Sequence, residues 1–329
     1  MTRMTTVRSS LLAMLLMCGA QLCLAAGAAH RPTEVLSADR IKADRTALFD
    51  LELFHGELFA VGERGVVMSS ADGGKTWLGR QAPTGRTLVR LLPIDQNTAI
   101  AVGHGGTIVR TADGGHSWRK IVVGAVGDDS LLGALQLSSG RLIAYGAYGL
   151  YIQSDDQGRT WRRRKILGED FQWHISDVIE VGRTLYLSGE AGTLAVSADQ
   201  GETWTPLPSP YEGSFFGLLA LRDGALLAYG MRGHVFRSED RGASWRAVPL
   251  GSQSALNGGT VSADGRVVLT GNNGLLAISS DGGRSFKLRT MPEGTPLAKA
   301  LYAPDGALVY VGYLATGRIP AESTAAHHE

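Results

Sequence analysis

Six copies of one eight-residue pattern, 41 to 43 residues apart, limit what this 329-residue chain can fold into more than any other feature. The copies begin at Ser70, Thr111, Ser154, Ser197, Ser238 and Ser279 and read Ser/Thr-x-Asp-x-Gly-x-Ser/Thr-Trp/Phe. Their aspartates are Asp72, Asp113, Asp156, Asp199, Asp240 and Asp281, and their closing aromatics are Trp77, Trp118, Trp161, Trp204, Trp245 and Phe286. Upstream of each copy an apolar run leads into Gly-x-x-Gly, at 62–65, 103–106, 146–149, 189–192, 230–233 and 271–274, with a looser seventh start at Gly312. Self-similarity at such a period marks an array of small supersecondary units.

Each period reads as four strands, a to d. In the second period these are 88–92, 98–102, 107–111 and 117–122, with the glycine turn joining b to c as a hairpin. Four strands in each period of this length match the blade of a β-propeller. The 44 glycines follow no three-residue rhythm and fit a chain with many turns. The expected fold is all-β, a seven-bladed β-propeller of four-stranded antiparallel blades, with a six-bladed ring plus tails as the runner-up. The seventh blade starts near Pro296 and runs out of chain after its third strand, so its outer strand is expected from residues 33–36, which would leave no open sheet edge.

The N-terminus has a different composition. Arg3 and Arg8 precede the uncharged stretch 9–29, which closes on small residues with candidate cleavage points after Ala25 or Ala28. This is the pattern of a secretory signal peptide, assigned to 1–28, ahead of a single propeller domain at 29–320 and a disordered tail at 321–329. Both cysteines, Cys18 and Cys23, fall inside the signal segment, so the mature chain is expected without a disulfide. Without Arg3 and Arg8 the mature chain holds 30 basic and 31 acidic residues, which argues against a global attraction to nucleic acid. No second apolar span follows, so a soluble periplasmic monomer with no transmembrane segment is expected.

The eight-residue pattern resembles the Asp box, or bacterial neuraminidase repeat. That resemblance places it at the c–d turn, away from the functional face. The residue chemistry agrees, since Asp satisfies turn N–H groups, Gly takes the positive φ, and Trp packs between sheets. Calcium binding at these boxes lacks the bidentate Glu that such loops require, and no metal or cofactor is expected. Taken with the glycine hairpins, as in 101–115, the chain after residue 40 resembles the photosystem II stability/assembly factor-like family. That resemblance implies a seven-bladed propeller that assists assembly of a membrane complex. Scaffold likeness does not by itself transfer function.

No metalloprotease, nucleophile-elbow or P-loop signature is present. Asp boxes also occur in sialidases, so a sialidase-like glycosidase or carbohydrate-binding propeller is the alternative. Arg318-Ile319-Pro320 is similar to a sialidase tripeptide, but it stands at the wrong end of the chain. The expected reading is a non-catalytic propeller that binds a protein partner, a membrane protein or its complex, through the face formed by the b–c turns and d–a loops. The candidate residues there are Glu63, Arg64, His104, Tyr148, Glu190, Arg232, Asn272 and Asn273 on turns, with Trp173, His174 and Tyr211 on two long aromatic loops. Trp173 is the only tryptophan outside the repeat. The basic run Arg162, Arg163, Arg164 and Lys165 is either a patch for anionic lipid or an acidic partner, or a solvated edge strand. Phe215 and Phe216 are either loop aromatics or the start of an inner strand.

Overall fold

A computed structural model describes residues 41–124, 126–292 and 294–321. It contains seven antiparallel sheets, six of four strands and one of three. The first blade runs through Leu48–Phe54, Glu57–Gly62, Val66–Ser70 and Leu78–Gln81, hydrogen-bonded in that order as strands a to d. The a strands of successive blades touch one another around the ring, and the seventh (Leu297–Tyr302) touches the first. Seven sheets rule out the six-bladed runner-up.

Burial follows position in the blade. The b strands Ala99–Gly103, Leu142–Gly146, Leu226–Gly230, Val267–Gly271 and Leu308–Gly312 are buried at every residue, because each is covered by a neighbouring blade on both faces. The outermost strands Arg162–Arg163, Arg246–Ala247 and Lys287–Thr290 are short and exposed. Their charges discourage another chain from pairing with the edge. Seven apolar clusters fill the seven seams between blades. Trp77, Trp118, Trp161, Trp204, Trp245 and Phe286 each pack into the seam between their own blade and the preceding one.

The repeated aspartates organise the c–d turns. In all six copies the Ser or Thr hydroxyl donates to Asp Oδ1 at 2.7–2.8 Å. The amide four residues beyond that Asp-preceding hydroxyl, on Gly74 and its equivalents, donates back to the same hydroxyl oxygen. The amide of the second Ser or Thr donates to Oδ1 at 2.8–3.0 Å. Gly74, Gly115, Gly158, Gly201, Gly242 and Gly283 all take positive φ, as the turn requires.

The Gly-x-x-Gly turns have a separate cause. The residue after the first glycine donates its amide to the carbonyl just before strand a of the same blade, at 2.9–3.1 Å in all seven blades, as in Glu63 to Ala47 and Tyr313 to Pro296. A Cβ on that first glycine would lie 2.0–2.5 Å from the same carbonyl oxygen in all seven, from Gly62 to Gly312. Only glycine admits so close an approach. Beside this contact every a–b pair carries a register shift, between Leu48 and Asp50 in the first blade and at the equivalent place in the rest. Such bulges re-aim the side chain that follows.

The ring closes between the seventh and first blades. The seventh sheet holds Leu297–Tyr302, Leu308–Gly312 and Ala315–Ile319. Residues 33–36, expected as its outer strand, lie outside the described residues, as do the signal segment and 322–329. The first described residues still lie at this seam: Ile41 and Ala43 join its core, and the turn Ala43–Arg45 touches Ala315–Ile319. Arg318 Nε donates to the Gly73 carbonyl in the first blade's c–d turn at 3.1 Å. Arg110 and Arg237 make the same reach to Gln157 and Gly282 of the next blade. Arg318 is therefore a structural stitch on the side away from the b–c turns.

Gly103→Ala is expected to cost about 2–4 kcal/mol in urea unfolding, because its Cβ would meet the Thr87 carbonyl at 2.0 Å. Gly105→Ala, at φ 60 with only the movable Arg86 side chain near its Cβ, is expected to cost less, about 1–2 kcal/mol for a left-handed L-residue. A second expectation concerns acid. The Ser117 hydroxyl and then its amide hold Asp113 down to about 2. Ser244 does the same for Asp240, also to about 2. Unfolding returns these groups to about 3.9, so their stabilisation is present above pH 4 and is lost as pH falls from 4 to 2. The thermal midpoint should be level near pH 5–6 and fall steadily below 4, with proton uptake on unfolding in that window.

Candidate functional site

The b–c turns put one residue of each blade at a crown around the channel mouth: Arg64, Gly105, Tyr148, Ala191, Arg232, Asn273 and Leu314. All seven have φ between 52 and 60. Six of them are not glycine, so the frame holds side chains at a backbone conformation L-residues rarely adopt. The crown is thus a fixed ring of display positions with variable contents.

The expected site residues sort into three groups. In the first, Tyr148 and Trp173 are 57 % and 51 % exposed and adjacent, since Gly149 N–H donates to the Trp173 carbonyl at 3.0 Å. His174 meets Tyr148 edge-on with centroids 5.0 Å apart, and its Nδ1 lies 3.2 Å from Glu190 Oε2. In the second group are residues spent on the frame. Glu63 Oε1 accepts the Ala47 amide at 3.1 Å, Asn272 Oδ1 accepts from Asn257, and Asn273 donates to Ser254 Oγ. Tyr211 is half-buried and packs on His234 at 4.3 Å, with Phe215 and Phe236 beyond, so this loop aromatic belongs to the wall of the blade. Phe215 opens strand a (Phe215–Ala220) and is wholly buried, while Phe216 is half-buried.

The third group is cationic. The side chains of Arg64 and Arg232 have no carboxylate within ion-pair distance among the described residues, and Arg232 borders a cavity of about 500 Å³ with His234, Leu250 and Gln253. Arg86, which sequence reasoning missed, joins them: its guanidinium lies against Gly105 and has no such partner either. Burial first, and then the Arg86 charge, hold the His104 imidazole below its ordinary value. The basic run behaves differently. Arg162 begins an edge strand and pairs with Asp155 at 2.8 Å, Arg163 with Asp129, Arg164 with Glu202, and Lys165 with Glu169. Its charge is matched locally.

Beneath the crown, sequence reasoning missed a second constellation. The residue after each a-strand bulge is Asp50, Arg90, Gly133, Asp177, Gly217, Gly258 or Lys299. Asp50 accepts the Leu91 amide and Asp177 the Leu218 amide, at 2.8 and 3.0 Å, each stitching one a strand to the next. Arg90 reaches Asp177, two blades on, at 3.2 Å and lies 3.8 Å from Asp50, while Lys299 lies 3.5 Å from Asp50 and 3.3 Å from Glu52. Where the a strand has glycine, the b strand supplies the missing hydroxyl. Tyr145 fills the space over Gly133 and donates to Asp177 at 2.8 Å, and Tyr229 fills that over Gly217. Burial alone would lower Arg90 and Lys299, but the carboxylates, Asp50 foremost, outweigh it and hold both above their ordinary values. Burial raises Glu52 against the pull of Lys299 and raises the Tyr145 hydroxyl, which stays a donor. These ion pairs tie the first, second, fourth and seventh blades across the channel.

Residues 36–143 match the protein family described as "Photosynthesis system II assembly factor YCF48". The chain is similar in fold to the solved structure "YCF48 bound to D1 peptide", with 17% identity and a TM-score of 0.69 over 89% of this chain and 100% of that one. It is also similar to "YCF48 from Cyanidioschyzon merolae", with 16% identity and a TM-score of 0.65 over 87% and 95%. The WD40 β-propeller domain of Doa1 gives 14% identity and a TM-score of 0.68 over 88% and 95%. No curated protein sequence matches the chain.

Asp177→Ala strands Arg90 and the Leu218 amide, and is expected to lower the unfolding free energy by about 3 kcal/mol or more. Arg162→Ala, which removes an exposed pair, is expected to cost less than about 1 kcal/mol in the same urea titration.

Proposed function

We propose that this propeller, whose residues 36–143 match the photosystem II assembly factor family, is a non-catalytic protein that binds a segment of a membrane protein or membrane complex through its crown. The observation that carries this reading is the crown itself: seven rigidly held positions that display Arg64, Tyr148 and Arg232, with Arg86 and Trp173 beside them. Exposed aromatics and arginines are the residue types that dominate binding energy at protein interfaces. The unpaired guanidiniums favour a partner segment that carries carboxylates, which they grip bidentately. The similar structure described as YCF48 bound to a D1 peptide points the same way.

Binding and not chemistry fits the titratable groups of the ring. The carboxylates and cations of the channel are matched against one another and against backbone amides. The place of action in this reading is the bacterial periplasm, on the strength of Arg3, Arg8 and the uncharged stretch 9–29. There the propeller meets the exported loops and tails of its partner as a monomer.

The test is a crosslinked pull-down of the mature chain from detergent-solubilised envelopes, beside the Arg64→Ala/Tyr148→Ala/Trp173→Ala/Arg232→Ala variant. The reading predicts a membrane protein recovered by the wild type and lost, at least tenfold, by a variant with an unchanged melting temperature. Equal recovery by both chains would contradict it.

A further inference from the structure

On the face opposite the crown, the seam between the first and second blades differs from two others. There the a–b turn of one blade meets the c–d turn of the next. At the seam of the fifth and sixth blades the meeting is an ion pair, Asp223 with Arg284 at 3.1 Å. At the seam of the third and fourth, Arg141 at the end of the a–b turn meets Glu202. At the seam of the first and second, two imidazoles stand in these places: His55 on the a–b turn and His116 on the c–d turn, with ring centroids 6.4 Å apart and planes at 84°. Among the described residues, no carboxylate or cationic side chain bonds to either ring.

Both rings are oriented the same way. His55 Nδ1 lies 2.9 Å from the Gln96 carbonyl, and His116 Nδ1 lies 2.6 Å from the Asp113 carbonyl. A carbonyl oxygen only accepts, so each ring donates Nδ1–H and, when neutral, carries its lone pair on Nε2. That is the tautomer and backing that metal-ligating histidines have, with the far nitrogen tied to a carbonyl. His55 sits at φ 52, and its ring lies against Gly114, where a Cβ would be 3.0–3.1 Å from three ring atoms. Both imidazoles border one cavity of about 290 Å³, with Glu57 and Arg80 also on its wall.

We infer that His55 and His116 form a seam-bridging site for a divalent transition-metal ion, held through their two Nε2 atoms. Imidazole suits copper, nickel and zinc, and affinity among these is expected to be highest for Cu²⁺. An ion about 2.0–2.1 Å from each nitrogen, bound at a bent angle, requires the two exposed rings to turn toward each other from their 6.4 Å separation. Water completes the coordination, since no third His, Cys, Asp or Glu among the described residues stands within reach. The bound ion clamps two neighbouring blades. Because it binds only the folded ring, it raises the thermal midpoint.

The test uses the untagged mature chain with His327→Ala and His328→Ala, so that the C-terminal pair cannot compete. It is titrated with Cu²⁺ by calorimetry and read by electron paramagnetic resonance. The expected result is one ion for each chain, two-nitrogen hyperfine structure and a raised thermal midpoint. His116→Lys, which copies Lys75 at the same turn position of the first blade, and His55→Asn should each weaken binding at least tenfold and remove the two-nitrogen signature. Both should keep the metal-free melting temperature near that of the parent. Failure of the parent to bind one equivalent, or the same isotherm and spectrum from the double variant, would overturn the inference.

Discussion

One backbone contact, repeated seven times, sets the geometry of this ring. The carbonyl that precedes each innermost strand lies against the first glycine of that blade's b–c turn and accepts the amide of the residue beyond it. The contact fixes where the innermost strand enters, and the bulge beside it turns the next side chain toward the channel. It also fixes the turn, so that its tip residue is held at positive φ above the channel mouth. The crown and the channel network are therefore two consequences of one constraint. A glycine at this place is required by sterics in every blade, which is why it persists in the seventh, where the Asp turn does not.

The opposite face is held together by different means. Aspartate organises each c–d turn from within, and Arg110, Arg237 and Arg318 carry a guanidinium from one blade to the turn of the next. The closing tryptophans fill the seams between. This division leaves the crown free of structural duty at several positions, notably Arg64, Tyr148 and Arg232. The rest of the molecule supplies stiffness. A binding surface gains from that, because its side chains need not be ordered on association.

Much of the fold was legible because its causes repeat. The period, the four strands in each blade, the turn aspartates and the seam tryptophans all follow from residues that recur at fixed spacing. The channel network was not legible for the opposite reason: its seven positions hold Asp, Arg, Gly, Asp, Gly, Gly and Lys, and self-similarity is blind to a column that varies. A signal was present, in that Gly133 and Gly217 face Tyr145 and Tyr229 on the paired strand, so that a lost side chain on one strand is replaced from the other. The site residues divided along similar lines. Trp173 stood out as the tryptophan the repeat did not use, and it is exposed on the crown. Tyr211 looked like its counterpart but is packed on His234 and Phe236, contacts between residues far enough apart that no local pattern predicts them. The run 162–165 read as a patch only until its carboxylate partners, Asp129, Asp155, Glu169 and Glu202, were in place.

The most direct measurement of the account is photo-crosslinking in intact cells with a benzoyl-phenylalanine placed at single positions on the two faces. Arg64, Tyr148 and Arg232 sample the crown, and Lys75, Glu202 and Arg284 sample the c–d turns. The account predicts adducts to one membrane-protein partner from the crown positions and none from the turns. Adducts from the turn positions alone, or equally from both faces, would contradict it.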